Sequence, residues 1–154
     1  MCASSSLSAS DSCSTIATSH LVLPPRFSRR ILFIAHLTLL SSLLAGYLKI
    51  YDCSCMALVV FLTSVNYWRH PTKGWRRNFD MLTVAIGFSQ HLYRSSSQKD
   101  FTVYVGYFTA FGICTMLYAL AWRLSYDQNA SSLCHCLIHI VSNVGNVWLY
   151  LSIY

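Results

Sequence analysis

From Ile31 to Leu48 the chain reads ILFIAHLTLLSSLLAGYL, with no charged side chain anywhere in the run. An α-helix crosses the hydrocarbon core of a bilayer in about 20 residues, so a run of this length limits what the chain can become. Four more runs follow, Cys53–Trp68, Phe79–Tyr93, Phe101–Trp122 and Leu133–Tyr154, separated by short polar islands. Charged residues make up only 10 % of the chain and apolar ones 55 %, with a mean hydropathy of +0.45. Soluble domains carry about 25 % charged residues. The expected class is therefore all-α: a polytopic membrane protein, a bundle of about five transmembrane helices over 31–48, 53–68, 79–93, 101–122 and 133–154. The alternating segments of about ten residues that mark a membrane β-barrel are missing from the pattern.

Residues 1–25 form a Ser-rich tail with Asp11 as its one acidic residue, expected to be disordered, and 26–154 form a single transmembrane helical domain. The tail's Ser-rich, acid-poor composition is also that of an organelle transit peptide. The net charge of +6 sits at the ends of the apolar runs, where it orients a membrane protein rather than binding nucleic acid. Eight of the eleven Lys and Arg residues (Arg26, Arg29, Arg30, Arg69, Lys73, Arg76, Arg77 and Arg123) fall on one side of the expected topology, and Lys49, Arg94 and Lys99 on the other. The positive-inside bias then places the N-terminus and the 69–79 loop in the cytosol and the C-terminus on the exoplasmic side. Membrane lipids are the expected partners, with the basic face favouring anionic headgroups. The seven cysteines include two C-x-C pairs, Cys53/Cys55 and Cys134/Cys136. Neither has the C-x-x-C spacing of a zinc ribbon or redox motif, and they read as small apolar side chains.

The chemistry lies in polar residues interrupting the apolar runs. His135 and His139 are spaced i, i+4 and share a helix face about 6 Å apart, a spacing that lets two imidazoles bind one metal. The chain has no glutamate, which excludes the H-E-x-x-H arrangement. Asn143 and Asn146 extend this stripe. In the second run Thr63, Asn66 and His70 recur at helical spacing, and in the third Asp80 precedes Gly87 and His91 on one side. With five alternating crossings, His70, Asp80, His135 and His139 come to one side of the bilayer at similar depth. Three neutral imidazoles are a competent Zn2+ set with a fourth position open for water, and such a water attacks carbonyls. Asp80 would orient a ligand or shuttle a proton. Asn66 or Ser64 would donate to a developing oxyanion. The competing reading of Asp80 is an ion pair with Arg76 or Arg77 and a favourable charge at a helix N-terminus.

A polar residue four before His70, Asp80 opening the third helix, and H-x-x-x-H in the last helix together resemble the CREST superfamily. That group includes alkaline ceramidases, progestin and adipoQ receptors and GPI-lipid remodelling proteins. The resemblance implies zinc held by His70, His135 and His139, with Asp80 assisting, and hydrolysis of a lipid amide or ester. The family usually has seven helices and a serine four before the histidine, whereas this chain offers five helices and Asn66, with Ser64 two positions away.

Two other functions compete. A non-enzymatic bundle or inactive relative would bind no metal and would associate through helix packing, as a homo- or hetero-oligomer, at small residues such as Gly106 and Gly112. A carrier of protons or metal ions would need polar residues through the full membrane depth, and these thin out beyond Asn146 and Gly87. His36 and His91 read as core or interface residues.

Overall fold

A computed structural model describes residues 22–154. The expected tail lies almost entirely outside these residues. Five helices follow in order: α1 Pro25–Tyr47, α2 Tyr51–Trp68, α3 Trp75–Ser96, α4 Phe101–Arg123 and α5 Gln128–Ile153. Three of them, α1, α4 and α5, are long and apolar enough to cross a membrane. Helices α1, α3 and α5 start four to six residues before their apolar runs, because hydropathy ends where charge begins whereas backbone hydrogen bonding does not. Local chemistry supplies the starts. Pro25 occupies the first turn of α1. The Asp100 carboxylate accepts from Thr102 N at 2.8 Å, and that of Asp127 accepts from Asn129 N at 3.0 Å and Ala130 N at 3.2 Å. Such caps satisfy N–H groups that lack helical partners. The Asp100 carboxyl is held below its usual range by the Thr102 bonds.

The helices run up and down in a closed ring, each packing on its neighbours in sequence and α5 closing onto α1. One end gathers the start of α1, the end of α2, the start of α3, the end of α4 and the start of α5. It is tied by Val22 N donating to Pro71 O at 2.7 Å, Arg30 Nη1 to Asn129 Oδ1 at 2.9 Å, and Ser131 Oγ to Ala121 O at 3.0 Å. The eight basic residues counted above lie at this end. At the opposite end Ser42 and Ser54 exchange hydrogen bonds, each hydroxyl donating to the other's carbonyl at 2.8 Å. The turn between α1 and α2 closes with Ile50 N on Ala45 O and Lys49 N on Gly46 O. This six-to-one and five-to-two pairing puts Lys49 in a left-handed conformation, φ 60°, usually taken by glycine.

The side-chain distribution is inside-out. The buried face of α3 is Asp80, Thr83, Gly87, His91 and Ser95, while Leu82 is 56 % exposed and Ile86 49 %. On α1 the buried face includes Ser28, Thr38, Ser41 and Ser42, while Phe33 is 76 % exposed. In water a helix buries its apolar stripe. Burying the polar one and exposing the apolar one suits a lipid surround, which makes unpaired polar groups costly and turns them inward. Apolar packing is left to two clusters at the ends, Leu23, Phe27, Ile31, Tyr67 and Trp68 at the basic end, and a second around Cys53, Tyr107, Leu149 and Tyr150 at the other.

Small residues set the close approaches. A Cβ on Gly145 would sit 3.1 Å from Ala110 Cβ, and one on Gly87 3.2 Å from Val60 Cγ2. A Cβ on Gly106 would sit 3.5 Å from the Trp148 ring, whereas nothing lies within 4 Å of one on Gly112. The tight α4–α5 contact is made by Gly145 instead.

Candidate functional site

A cavity of about 1,050 Å3 opens at the basic end between α2, α3, α4 and α5. It forms where α3 is only loosely packed against α4 and α5. Ser64 from α2, Asp80 from α3, and His135 and His139 from α5 all line it. Much of the remaining wall is aromatic or aliphatic, with Trp68, Tyr118, Phe88 and Phe111 among its members, and Lys73 and Arg77 also line it.

Asp80 is buried and tightly held. Ser64 Oγ donates to its Oδ1 at 2.7 Å, and Thr63 Oγ1 reaches the same oxygen at 3.3 Å. Thr63 and Thr83 hydroxyls meet at 2.8 Å, and Thr83 Oγ1 donates to the Asp80 carbonyl at 2.9 Å. Adjacent positions on α2 thus face one carboxylate, and both hydroxyl bonds fall on Oδ1. Asp80 makes no ion pair with Arg76 or Arg77: among the described residues the one ion pair joins Arg94 to Asp52.

His135 is held by aromatic edges, with the Trp68 ring at 5.3 Å and the Tyr118 ring at 6.2 Å between centroids. About two turns further along α5, Asn143 locks α5 to α1. Its Nδ2 donates to Thr38 Oγ1 at 3.1 Å and to His139 O at 2.6 Å, and its Oδ1 accepts from Ser41 Oγ at 2.5 Å. This fixes the register of the histidine pair against α1.

His70 and Asn66 do not join this site. His70 lies in a separate pocket of about 300 Å3, beside Arg29 and Arg69, and Asn66, half-buried, lines neither cavity. The cause is local. Helix α2 ends at Trp68, and His70 precedes Pro71, whose ring disfavours helical backbone in the residue before it. The helical spacing that groups Thr63, Asn66 and His70 in sequence thus stops short of His70. The polar face is centred on Thr63, Ser64 and Tyr67, all buried. Of the two expected oxyanion donors, the cavity holds Ser64. Among the described residues no three His, Cys, Asp or Glu side chains gather in reach of one metal ion. Arg29 and Arg69 line the same pocket as His70, and their positive charge opposes a dication there. The structure therefore brings together two histidines of the expected zinc set and not the third.

The polar stripes of α3 and α5 run deeper than the sequence suggests. At the far end His91 Nδ1 bonds to Gly87 O at 2.8 Å and Nε2 to Tyr150 Oη at 2.8 Å. The His91 ring stacks on Tyr107, 5.9 Å between centroids, and Tyr107 Oη donates to Asn146 Oδ1 at 3.1 Å. His91 shares a face with Asp80 and Gly87, which was a legible signal. Tyr150 continues the Asn143–Asn146 stripe. His36 is exposed, its Nδ1 on Leu32 O at 2.9 Å. All five cysteines among the described residues are free, and Cys53 is part of the far-end core.

Compared with protein-family models, with curated proteins and with solved structures, the chain finds no match.

Proposed function

We propose that the chain is an integral membrane protein of five transmembrane helices that hydrolyses the amide or ester bond of a lipid in its basic-end cavity. One observation carries the reading: Ser64, Asp80, His135 and His139, from three helices, line a single cavity whose other walls are largely apolar. A pocket of this kind, mostly apolar with a few convergent polar groups, suits an amphiphilic substrate. The bias in Lys and Arg puts the basic end, the N-terminus and the 69–79 loop in the cytosol and the C-terminus on the exoplasmic side. The cavity then opens at the depth of the cytosolic headgroups. Lys73 and Arg77 among its lining residues suit an anionic headgroup.

The chemistry needs a base and an acid near the carbonyl. An imidazole of the histidine pair takes a proton from water, and the remaining hydroxide adds to the carbonyl carbon. The C–N or C–O bond breaks, and the departing nitrogen or oxygen takes that proton. Asp80, fixed through Oδ1 by Ser64, orients the water. The CREST resemblance adds zinc to such a site, but with His70 elsewhere the three-histidine set does not fit this arrangement, and no step here runs through a metal.

A second reading has one observation in its favour. Asp80 is bonded to α2 and to its own helix, and among the described residues no hydrogen bond links it to His135 or His139. A bundle that holds a lipid without turning it over would look the same. The two readings part on fatty-acid release from a ceramide and a lysophospholipid by the detergent-purified chain, beside Asp80→Asn and a His135→Ala/His139→Ala double variant. Hydrolysis predicts release that falls about 100-fold or more in both variants. Lipid retention without release in the wild type would sink it. Zinc content of the same samples separates the metal question: one zinc per chain, lost in the double variant, would place a third donor beside the histidine pair.

A further inference from the structure

The pocket that holds His70 has a chemistry of its own. It lies where the first turns of α1 meet the end of α2, and its volume of about 300 Å3 is at the small end of ligand pockets, roughly 300–1,000 Å3. Arg29, Arg69, His70 and Ser28 supply its polar wall, and Leu32 and Trp68 its apolar one. No Asp or Glu lines it. Among the described residues neither arginine is in an ion pair, since the one such pair is at the opposite end of the bundle. The contrast with Arg30, one residue away, is informative: its guanidinium is engaged by Asn129. The first turn of α1 adds the positive end of a helix dipole, which favours negative charge.

We propose that this pocket binds the phosphate of an anionic lipid headgroup, with the lipid's glycerol and first carbons against Leu32 and Trp68. Phosphate is the chemistry that fits. Guanidinium groups pair with its oxygens through two parallel N–H donors, and two arginines, Arg29 of α1 and Arg69 just past the end of α2, line one small volume. The source is a lipid rather than free phosphate because the pocket combines its cations with an apolar wall at the level where, on the membrane reading, headgroups sit. Trp68 lines both this pocket and the larger cavity, so the two are separate volumes sharing one wall. The proposal rests on the membrane reading and not on hydrolysis: loss of the hydrolytic activity would leave it intact.

The test is lipid retention by the full-length chain in phosphatidylcholine nanodiscs doped with phosphatidic acid, read by native mass spectrometry. The wild type is expected to retain phosphatidic acid over phosphatidylcholine. An Arg29→Gln/Arg69→Gln variant should lose about tenfold of that preference, while Arg76→Gln, at the same end but outside the pocket, should stay within about twofold. An Arg29→Lys/Arg69→Lys variant keeps the charge and guards against misfolding of the first: losing the paired donors should still weaken retention several-fold. Retention unchanged in both double variants overturns the proposal. Equal losses in the Gln double variant and in Arg76→Gln overturn it too, because they describe a diffuse basic surface. Displacement of the lipid by millimolar inorganic phosphate would overturn the lipid assignment and leave a soluble phosphate site.

Discussion

The two ends of the bundle are built from the same materials and use them differently. At the far end, His91 and Tyr150 sit on the inward stripes of α3 and α5 and bond to each other at 2.8 Å. The Nδ1 of His91 faces a carbonyl and so carries the proton, leaving Nε2 to accept from the tyrosine hydroxyl. Its ring lies against Tyr107 and the whole group is buried. At the basic end, Asp80 and His139 lie on the same two stripes, three turns away. There Asp80 pairs with Ser64 and Thr63 of α2, but among the described residues no hydrogen bond joins it across the cavity to the histidines of α5. A polar stripe inside a bundle is thus not one thing. Where groups pair across helices and exclude water they are a clasp; where they converge on open volume they are available to a ligand. Pairing between the stripes of α3 and α5, not polarity, separates the two.

The comparison breaks first on activity. His139→Ala should reduce lipid hydrolysis by about 100-fold or more while shifting stability by less than about 1 kcal/mol, because it deletes no bond between helices. His91→Ala should do the reverse. It strands the Tyr150 hydroxyl and leaves a void beside Tyr107, at about 2–4 kcal/mol, with activity per folded molecule unchanged. Thermal unfolding in detergent beside a fatty-acid release assay reads both. If the two variants lose activity to the same degree, the clasp belongs to the chemistry and the distinction fails. Tyr150→Phe sharpens it: one hydrogen bond between membrane helices is worth about 0.6 kcal/mol and at most about 1.7, so this variant should fall well short of His91→Ala.

Glycines give a smaller contrast on one interface. Gly145→Val forces side-chain atoms against Ala110 and Tyr107, already at 3.1 and 3.6 Å from a bare Cβ, and should cost about 1–3 kcal/mol. Gly112→Ala meets nothing and should be neutral or stabilising by up to about 1 kcal/mol from helix propensity. Unfolding midpoints moving together would mean that Gly145 is not the close contact.

Much of this was legible in the sequence. The five helices follow from apolar runs parted by charge, and the helix boundaries missed by a few residues because Trp75–Asn78 and Gln128–Ser132 are helical without being apolar. The histidine pair and Asp80 reach one cavity because i, i+4 spacing and alternating crossings survive folding. His70 does not, and the sequence carried the reason in its His-Pro step, which takes the residue off the helix whose period had grouped it with Asn66. Ser64 was visible as a hydroxyl near the right place, but only packing decides whether it or Asn66 faces α3. Periodicity puts His91 and Tyr150 on the inward stripes of their helices, but which partner each meets, across 59 residues of chain, is decided only by how α3 packs on α5.

The smallest effect tests the far end at its rim. Arg94 Nε donates to Asp52 Oδ2 at 2.6 Å, with Gln90 Nε2 at 3.4 Å on the same oxygen. Asp52 and Arg94 lie at helix ends outside the apolar runs, and the guanidinium holds the Asp52 carboxyl below its usual range despite some opposing desolvation. A lowered folded-state value means that the contribution is present at neutral pH and fades as pH falls through and below the ordinary aspartate value of about 3.9. Both side chains are about 40 % exposed, so solvent screening limits the pair to less than about 1 kcal/mol. Asp52→Asn should therefore lower stability slightly at pH 7, and the gap to wild type should shrink as pH falls below the ordinary aspartate value of about 3.9. A gap of 2 kcal/mol or more at pH 7 would mean that the rim pair acts with the buried clasp beneath it. The boundary between exposed ion pair and dry hydrogen-bond network would then have to be drawn outside Asp52.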